Sequence, residues 1–453
     1  METSYDVRVW NIEKYEGARG TTYTVRWVVA GQRWREPFRT KGLADSFRSD
    51  LVQAARRGEA FVVDTGRPTS MDRAERQVNW LAFAREYAAM KWPHLAPNSR
   101  RNTARALTTA TIALVTTDRG RPEDAELRKA LTSWAFNIRA SGTGRPTDAV
   151  ARSLAWLERN TRNVGELEKP AVVRALLDAI AVTNDGTPAA PGTVQRQRGV
   201  LVNAAEYAVE RRLLVRNPIT TVARRAPRTV QTIDRRVVVN PAQARALLDA
   251  VRAEKPSGDR LVAFFGAMYY AGLRPGEAAT LRKANLALPA KGWGELVLES
   301  STPEAGASWT DSGRRREERQ LKHRARGETR VVPSPPELTA LLHVHLEKYG
   351  TGLDGLLFGG VRGGQLAEST YCRVWRKARA AALTDEEVAS PLARRPYDLR
   401  HAAVSTWLSA GVAPTQVAAW AGHSVAVLLQ IYAKCLAGQE DTSRRRIEAA
   451  LNF

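Results

Sequence analysis

Cysteine is scarce in this chain: among 453 residues only Cys372 and Cys435 occur. Two thiols exclude a disulfide framework and fit a reducing compartment, so a cytoplasmic location is expected, with both cysteines as core thiols. Long apolar runs are missing too. The longest, around Leu261 to Leu273, is too short to cross a bilayer, and the first residues lack the basic-then-apolar pattern of an export signal, so no membrane is expected among the partners. No internal repeat and no low-complexity tract interrupts the chain. Acidic residues are in deficit, with 47 Asp and Glu against 69 Lys and Arg, a net charge of +22. That imbalance points to a polyanionic partner, nucleic acid before an anionic membrane. Arginine greatly outnumbers lysine, which suits forked contacts to phosphate. A hydrophobic fraction of 43% excludes general disorder, and the length implies two or three domains.

The order of patterns divides the chain. Residues 1–66 alternate Val, Trp and Tyr with polar residues, as in Val7-Arg-Val-Trp10 and Thr22-Tyr-Thr-Val-Arg-Trp27, and read as a three-stranded sheet followed by a helix over Leu43 to Arg57. Arg26, Arg33, Arg35 and Arg39 make this module a candidate grip for DNA. Residues 71–220 are helical by three-and-four spacing, broken at Pro93, Pro97, Gly144, the Asn184-Asp-Gly-Thr-Pro188 turn and Pro191-Gly192. Basic residues crowd the helix starts there. Arg100, Arg101, Arg105, Arg196 and Arg198 are therefore candidate phosphate contacts. Residues 221–239 read as an exposed basic linker, and Arg224 and Arg225 join the same candidate set. From 240 to 453 helices return around one hairpin, Glu295–Glu299 with Thr329–Pro333, whose strands are separated by an unusually long charged stretch, Ser300 to Glu328. The expected class is mainly α with small β-sheets, an α+β fold.

Five residues toward the C-terminus form a set suited to attack by a phenol on a phosphodiester. Arg274 lies between Gly272, fit to close one helix, and Pro275, fit to open the next, so its guanidinium projects from a rigid turn. Arg400 lies in a helix from about Tyr397 to Ala410. Two permanently charged forks can hold both non-bridging oxygens of one phosphate and stabilise the added charge of a pentacoordinate transition state. His423 sits in Ala-Gly-His-Ser, where Ser424 can cap the helix bearing Tyr432 nine positions on. A phenol has an ordinary pKa near 10, so nearby cations must favour its phenolate before it attacks well. Lys322 is the only lysine between Lys291 and Lys348 and precedes the Val-Val-Pro strand. Arg324 and Arg326 are the alternatives to it. Taken one at a time, each of these residues has an ordinary structural reading; the set in this order does not.

Ala-Gly-Leu-Arg274-Pro-Gly-Glu277, Tyr397-Asp-Leu-Arg400-His401, Ala-Gly-His423-Ser and Gln-Ile-Tyr432 together resemble the catalytic domain of the tyrosine recombinases of the phage-integrase type. The resemblance implies a three-part organisation: residues 1–66 as an arm-type DNA-binding module, 71–220 as a helical core-binding domain, and 240–453 as a mixed α/β catalytic domain. It implies that Tyr432 attacks a DNA phosphorus, forming a 3′-phosphotyrosyl link and freeing a 5′ hydroxyl protonated by Lys322, while Arg274, Arg400 and His423 hold the phosphate. No nucleotide cofactor or metal is implied, and the chain has no phosphate-binding loop, Cys-x-x-Cys pair or His-Glu-x-x-His. The implied partners are double-stranded DNA attachment sites, sister subunits in a homo-tetramer on DNA, and an accessory directionality factor. The implied role is integration of a phage or plasmid-like element. One departure stands out: where the family usually has His three positions before the second Arg, this chain has Tyr397, which is also a rival nucleophile. The alternatives are a type IB topoisomerase-like nicking-closing enzyme and a catalytically impaired DNA-binding relative.

Overall fold

The computed structural model describes residues 2–17, 20–71, 78–222, 232–322, 324–325, 327–361, 363–436 and 440–451. The chain forms two compact units, one of residues 1–95 with 102–226 and one of residues 96–101 with 227–453. Arg224, Arg225 and Arg326 lie outside the described residues, as does the side chain of Cys435.

The first unit opens with a sheet built on one long strand. β1 (Thr3–Ser4), β2 (Val7–Val9), β3 (Glu13–Gly17), β4 (Gly20–Val29) and β5 (Gln32–Phe38) precede the helix Lys41–Arg56 and β6 (Phe61–Val62). β4 pairs with β5 along one edge, while β3 and β2 share the other, β3 against residues 20–24 and β2 against residues 27–29. The sheet thus has four strands where three were expected, because the first two cover a single edge in succession. β1 and β6 form a separate two-stranded ribbon. The period-2 pattern sets the faces: Val25, Trp27 and Val29 are buried against Ala44, Leu51 and Ala54 of the helix. The opposite face carries Arg8, Arg26, Arg33 and Arg35, all exposed, with Arg26 directly across from Arg35. Like charges so paired are mutually unfavourable, and Glu13 relieves one of them by accepting from Arg26 at 2.9 Å.

Helices make up the rest of this unit, including Trp80–Lys91, Asp148–Asn160, Pro170–Ala179 and Pro191–Glu210. Asn79 caps the first of them, its side chain accepting from the Leu81 N–H at 2.8 Å. Proline at the first position opens the last two.

In the second unit the helix Gly258–Tyr270 is buried on nearly every side, which its almost uninterrupted apolar sequence requires. Helices Pro241–Ala253, Pro336–Tyr349 and Asp398–Ser409 pack on it, and Glu368–Ala382 packs on Pro241–Ala253. Beside them lies a three-stranded antiparallel sheet of β7 (Leu286–Ala287), β8 (Gly294–Leu298) and, numbered after a short pair β9 (Ser300–Ser301) and β10 (Arg319–Gln320), β11 (Arg330–Ser334). β8 and β11 are the expected hairpin pair. The long stretch between them is folded: Arg316 is buried and donates to the carbonyls of Thr302 at 2.6 Å and Leu366 at 3.0 Å, satisfying its charge with backbone oxygens and Glu304. The protein is therefore α+β, mainly helical with small sheets. Among the described residues, no helix is long and apolar enough to cross a membrane.

Candidate active site

The site is assembled around Glu277, which is buried and meets three guanidinium groups. Arg274 caps the short helix Pro275–Ala278 from the turn that Gly272 and Pro275 define; its backbone N–H donates to Glu277 Oε2 at 2.9 Å and its Nη1 to Oε1 at 2.7 Å. Arg330 enters from the first position of β11, donating to Oε1 at 3.1 Å and Oε2 at 2.7 Å. Arg400, completely buried in the helix Asp398–Ser409, approaches Oε2 to 3.9 Å. Burial alone would raise the Glu277 carboxyl, but Arg330, Arg274 and Arg400 hold it down at about 2. Three guanidiniums against one carboxylate leave an excess of two positive charges in the pocket. A phosphodiester carries one negative charge and its pentacoordinate transition state gains another, so the excess favours the transition state over the ground state.

Backbone carbonyls fix the guanidiniums further. Arg274 Nη2 donates to the Gly422 carbonyl at 2.8 Å, and Arg400 donates to the carbonyls of Gly272 and Ala421. Both central arginines thus grip the same short turn after the helix Pro414–Ala421. Gly422 adopts the left-handed conformation there with φ of 63°, and a Cβ on it would overlap Arg330. Burial and the neighbouring Arg274 push the Arg400 guanidinium down to about 10, still charged at neutral pH. For Arg274 burial disfavours the charge, while Glu277 and the Tyr397 hydroxyl favour it more, and its pKa is raised.

His423 follows Gly422 directly. Its Nε2 lies 3.1 Å from Arg400 Nη2, and since a guanidinium can only donate, Nε2 is the acceptor and Nδ1 carries the hydrogen. Burial, then Arg400, Arg274 and Arg330, push the imidazole down to about 3, so it is neutral at physiological pH. His423 Nδ1, Arg330 Nε and Arg400 Nε are buried without a hydrogen-bond partner among the described residues. Three such donors beside paired cations leave hydrogen-bonding capacity that suits an oxyanion.

Tyr432 lies in the helix Val425–Leu436, whose start Ser424 caps by accepting from the Val427 N–H at 3.2 Å. The ring is wholly buried with Val404, Leu408, Val417, Ala421 and Leu428, yet its hydroxyl is 2.8 Å from His401 Nδ1 and its ring centroid 6.5 Å from that of His423. The same helix is tied to the segment entering the unit, where the Ile233 N–H donates to the Ile431 carbonyl at 2.9 Å.

The fold therefore brings Arg274, Arg400, His423 and Tyr432 together, with Tyr397 at the edge, half-buried and edge-on to His401. Lys322 is not among them: it is exposed in a turn after β10 and shares none of these contacts, while its alternative Arg324 is paired with Glu328. Sequence reasoning missed Arg330 as a member. The alternation of β11 could have found it, since Arg330, Val332 and Ser334 share the inward face. Among the expected phosphate contacts, Arg100 is corrected outright: in the segment 96–101 it is buried and bidentate to Asp311, at 2.7 and 2.8 Å, so it is not offered to a ligand. Arg198 is half-buried and donates to the Ile219 carbonyl at 3.3 Å, and Arg101 is half-buried, whereas Arg105 and Arg196 are exposed.

Residues 238–438 match the model of the phage integrase family, and this match over the second unit supports a tyrosine recombinase. Among solved structures, the chain is similar to the Tn1549 transposon integrase in complex with a circular-intermediate DNA, with 16% identity and a TM-score of 0.48, over 70% of this chain and 97% of that one. It is similar to the XerH site-specific recombinase bound to a palindromic difH substrate, with 13% identity and a TM-score of 0.43, over 78% and 95%. It is also similar to a lambda integrase dimer bound to a COC′ core site, with 14% identity and a TM-score of 0.48, over 94% and 95%. Among curated proteins, none matches this sequence.

Proposed function

We propose that this recombinase cleaves and rejoins DNA through a 3′-phosphotyrosyl intermediate on Tyr432, and that it integrates a phage or plasmid-like element. The observation that carries the reading is the convergence of Arg274, Arg330, Arg400 and His423 beside the Tyr432 hydroxyl, with a surplus of positive charge. The arginines take the phosphate and the charge that develops on it, His423 Nδ1–H adds a donor, and Tyr432 Oη attacks phosphorus as the 5′ oxygen leaves with a proton from Lys322. Lys322 lies in an exposed turn, so it has to be carried to the leaving oxygen by a closing movement when DNA binds. The phosphotyrosyl bond keeps the ester energy, and a 5′ hydroxyl from another strand completes the exchange.

Residues 1–66 serve as the arm-type module in this reading, supported by the basic outer face of Arg8, Arg26, Arg33 and Arg35. Residues 71–220 are the core-binding domain, with Arg105 and Arg196 as exposed phosphate contacts, and residues 240–453 the catalytic domain. The partners are double-stranded attachment sites and three further subunits in a tetramer in the cytoplasm, with an accessory factor setting direction. Covalent capture from a pool of nicked duplexes with a randomised core tests this. The wild-type protein is expected to form a denaturant-resistant adduct and Tyr432→Phe none, while both bind the recovered duplex alike. An adduct with the Phe variant, or none with the wild type, would overturn the assignment.

A further inference from the structure

The position three residues before Arg400 carries a phenol, Tyr397, so no imidazole is available there to receive the nucleophile's proton. One residue after Arg400, however, an imidazole touches the nucleophile itself: His401 Nδ1 is 2.8 Å from Tyr432 Oη. We infer that His401 is the proton acceptor for the Tyr432 phenol, acting through Nδ1 in place of a group at position 397. The inference rests on the phosphotyrosyl reading above.

Three features of the geometry support it. First, the contact is fixed from both sides: the helix Asp398–Ser409 that holds His401 also holds Arg400, so the acceptor and a phosphate-binding cation are neighbours on one rigid element. Second, Tyr397 packs edge-on against His401 with centroids 5.1 Å apart, and its hydroxyl acts on Arg274. Tyr397 thus orients the imidazole and a guanidinium. Third, the groups facing His401 favour its neutral form. Burial, then Arg400 and Arg395, push it down to about 4, and His423 and the phenols of Tyr397 and Tyr432 are its other titratable neighbours. A neutral ring with its hydrogen on Nε2 has a free lone pair on Nδ1. The negative charge of a bound phosphate offsets the arginines that depress its basicity, so its proton affinity rises when substrate arrives.

The step balances. As Tyr432 Oη bonds phosphorus, the Oη–H bond breaks and an Nδ1–H bond forms on His401, giving an imidazolium. The P–O5′ bond breaks and the 5′ oxygen takes a proton from the general acid. In the rejoining half the imidazolium returns its proton to Oη as the phenol leaves.

The test uses the full-length protein and the nicked duplex recovered by wild-type capture. His401→Gln is expected to slow adduct formation about 10²-fold at neutral pH, the lower range for a positioned base. The deficit should shrink toward high pH, where the phenol ionises unaided, and added imidazole should restore part of the rate. His401→Asn keeps an acceptor near the place of Nδ1 that cannot hold the proton, so it should be equally slow while binding the duplex and melting like the wild type. If the Asn variant reacts at the wild-type rate, His401 only positions the phenol and the inference fails. It also fails if the loss in the Gln variant is the same at every pH and indifferent to imidazole. Wild-type capture with normal Gln and Asn rates would overturn this step alone; absence of wild-type capture would overturn the reading beneath it.

Discussion

Gly422 and Arg330 are packed so closely that no methyl group fits between them. A Cβ on Gly422 would overlap Arg330 Nη1, and would sit 3.3 Å from Arg274 Nη1, while the backbone at φ of 63° is one that only glycine adopts freely. The turn brings its carbonyls to Arg274 and Arg400 and must also let a third arginine pass beneath it. Gly422→Ala is therefore expected to lower stability by about 1–2 kcal/mol through backbone strain alone and more through displacement of Arg330. Adduct formation should drop at least tenfold. Urea unfolding and covalent capture read the two effects, and an alanine variant matching the wild type in both would refute the packing argument.

Arg330 should matter as much as the arginines legible from sequence. Its two forked bonds hold Glu277 and leave Nε buried without a partner among the described residues, and lysine can reproduce the charge but not the fork. Arg330→Lys is expected to slow adduct formation by about 10²–10³-fold, the range seen when one donor to a developing oxyanion is lost. Duplex affinity should change little. Single-turnover capture beside an equilibrium binding assay separates these outcomes, and a rate within a few-fold of wild type would exclude Arg330 from the site.

Glu277→Gln leaves the buried Arg330 and Arg400 and the half-buried Arg274 without their shared counter-charge. Breaking a buried pair from one side destabilises by about 3–5 kcal/mol, which a shift of the urea midpoint would report. The pH dependence has a definite sign. Glu277 ionises at about 2 in the fold against an ordinary 4.5, so its contribution is present above pH 4.5 and is lost as pH falls toward 2. His401 and His423 are held at about 4 and about 3, below the ordinary 6.5, so the unfolded chain binds their protons first and stability falls as pH drops below 6.5. Both act in one direction. The wild type should lose stability steadily from pH 6.5 downward, His401→Gln should flatten the upper part of that curve, and Glu277→Gln the part below 4.5. A curve flat from pH 7 to 4 would contradict the burial of the histidines.

DNA affinity should fall linearly with the logarithm of salt concentration, since each neutralised phosphate releases counterions. Replacing Arg33 and Arg35 by Ala on the outer face of the N-terminal sheet should reduce the slope by about one unit per lost contact if both touch the backbone. Isolated catalytic cleavage of the core duplex should be unchanged. Equilibrium binding across a salt series to DNA from the ends of the encoding element checks this, and an unaltered slope would remove that face from the interface.

Much of the site was legible because its residues sit at local landmarks. Arg274 lies between a helix-closing glycine and a helix-opening proline, and His423 lies between a left-handed glycine and a capping serine, so short windows of sequence specify their backbone. Arg330 was not legible as a site residue because a basic residue at the end of a charged stretch looks solvated; only the register of β11 against β8 turns it inward. Arg100 went the other way. Its place near a helix start suggested phosphate, but Asp311, far along the chain, satisfies it inside the protein.

The sequence by itself determined the element types, the division of polar and apolar faces and the excess of positive charge, because those follow from local periodicity, capping and composition. Only the tertiary structure decided which arginines share Glu277, that His401 meets the Tyr432 hydroxyl, and that Lys322 stands apart. Those outcomes depend on contacts between segments distant in the chain, where burial makes an unpaired charge too costly to leave and so selects its partners.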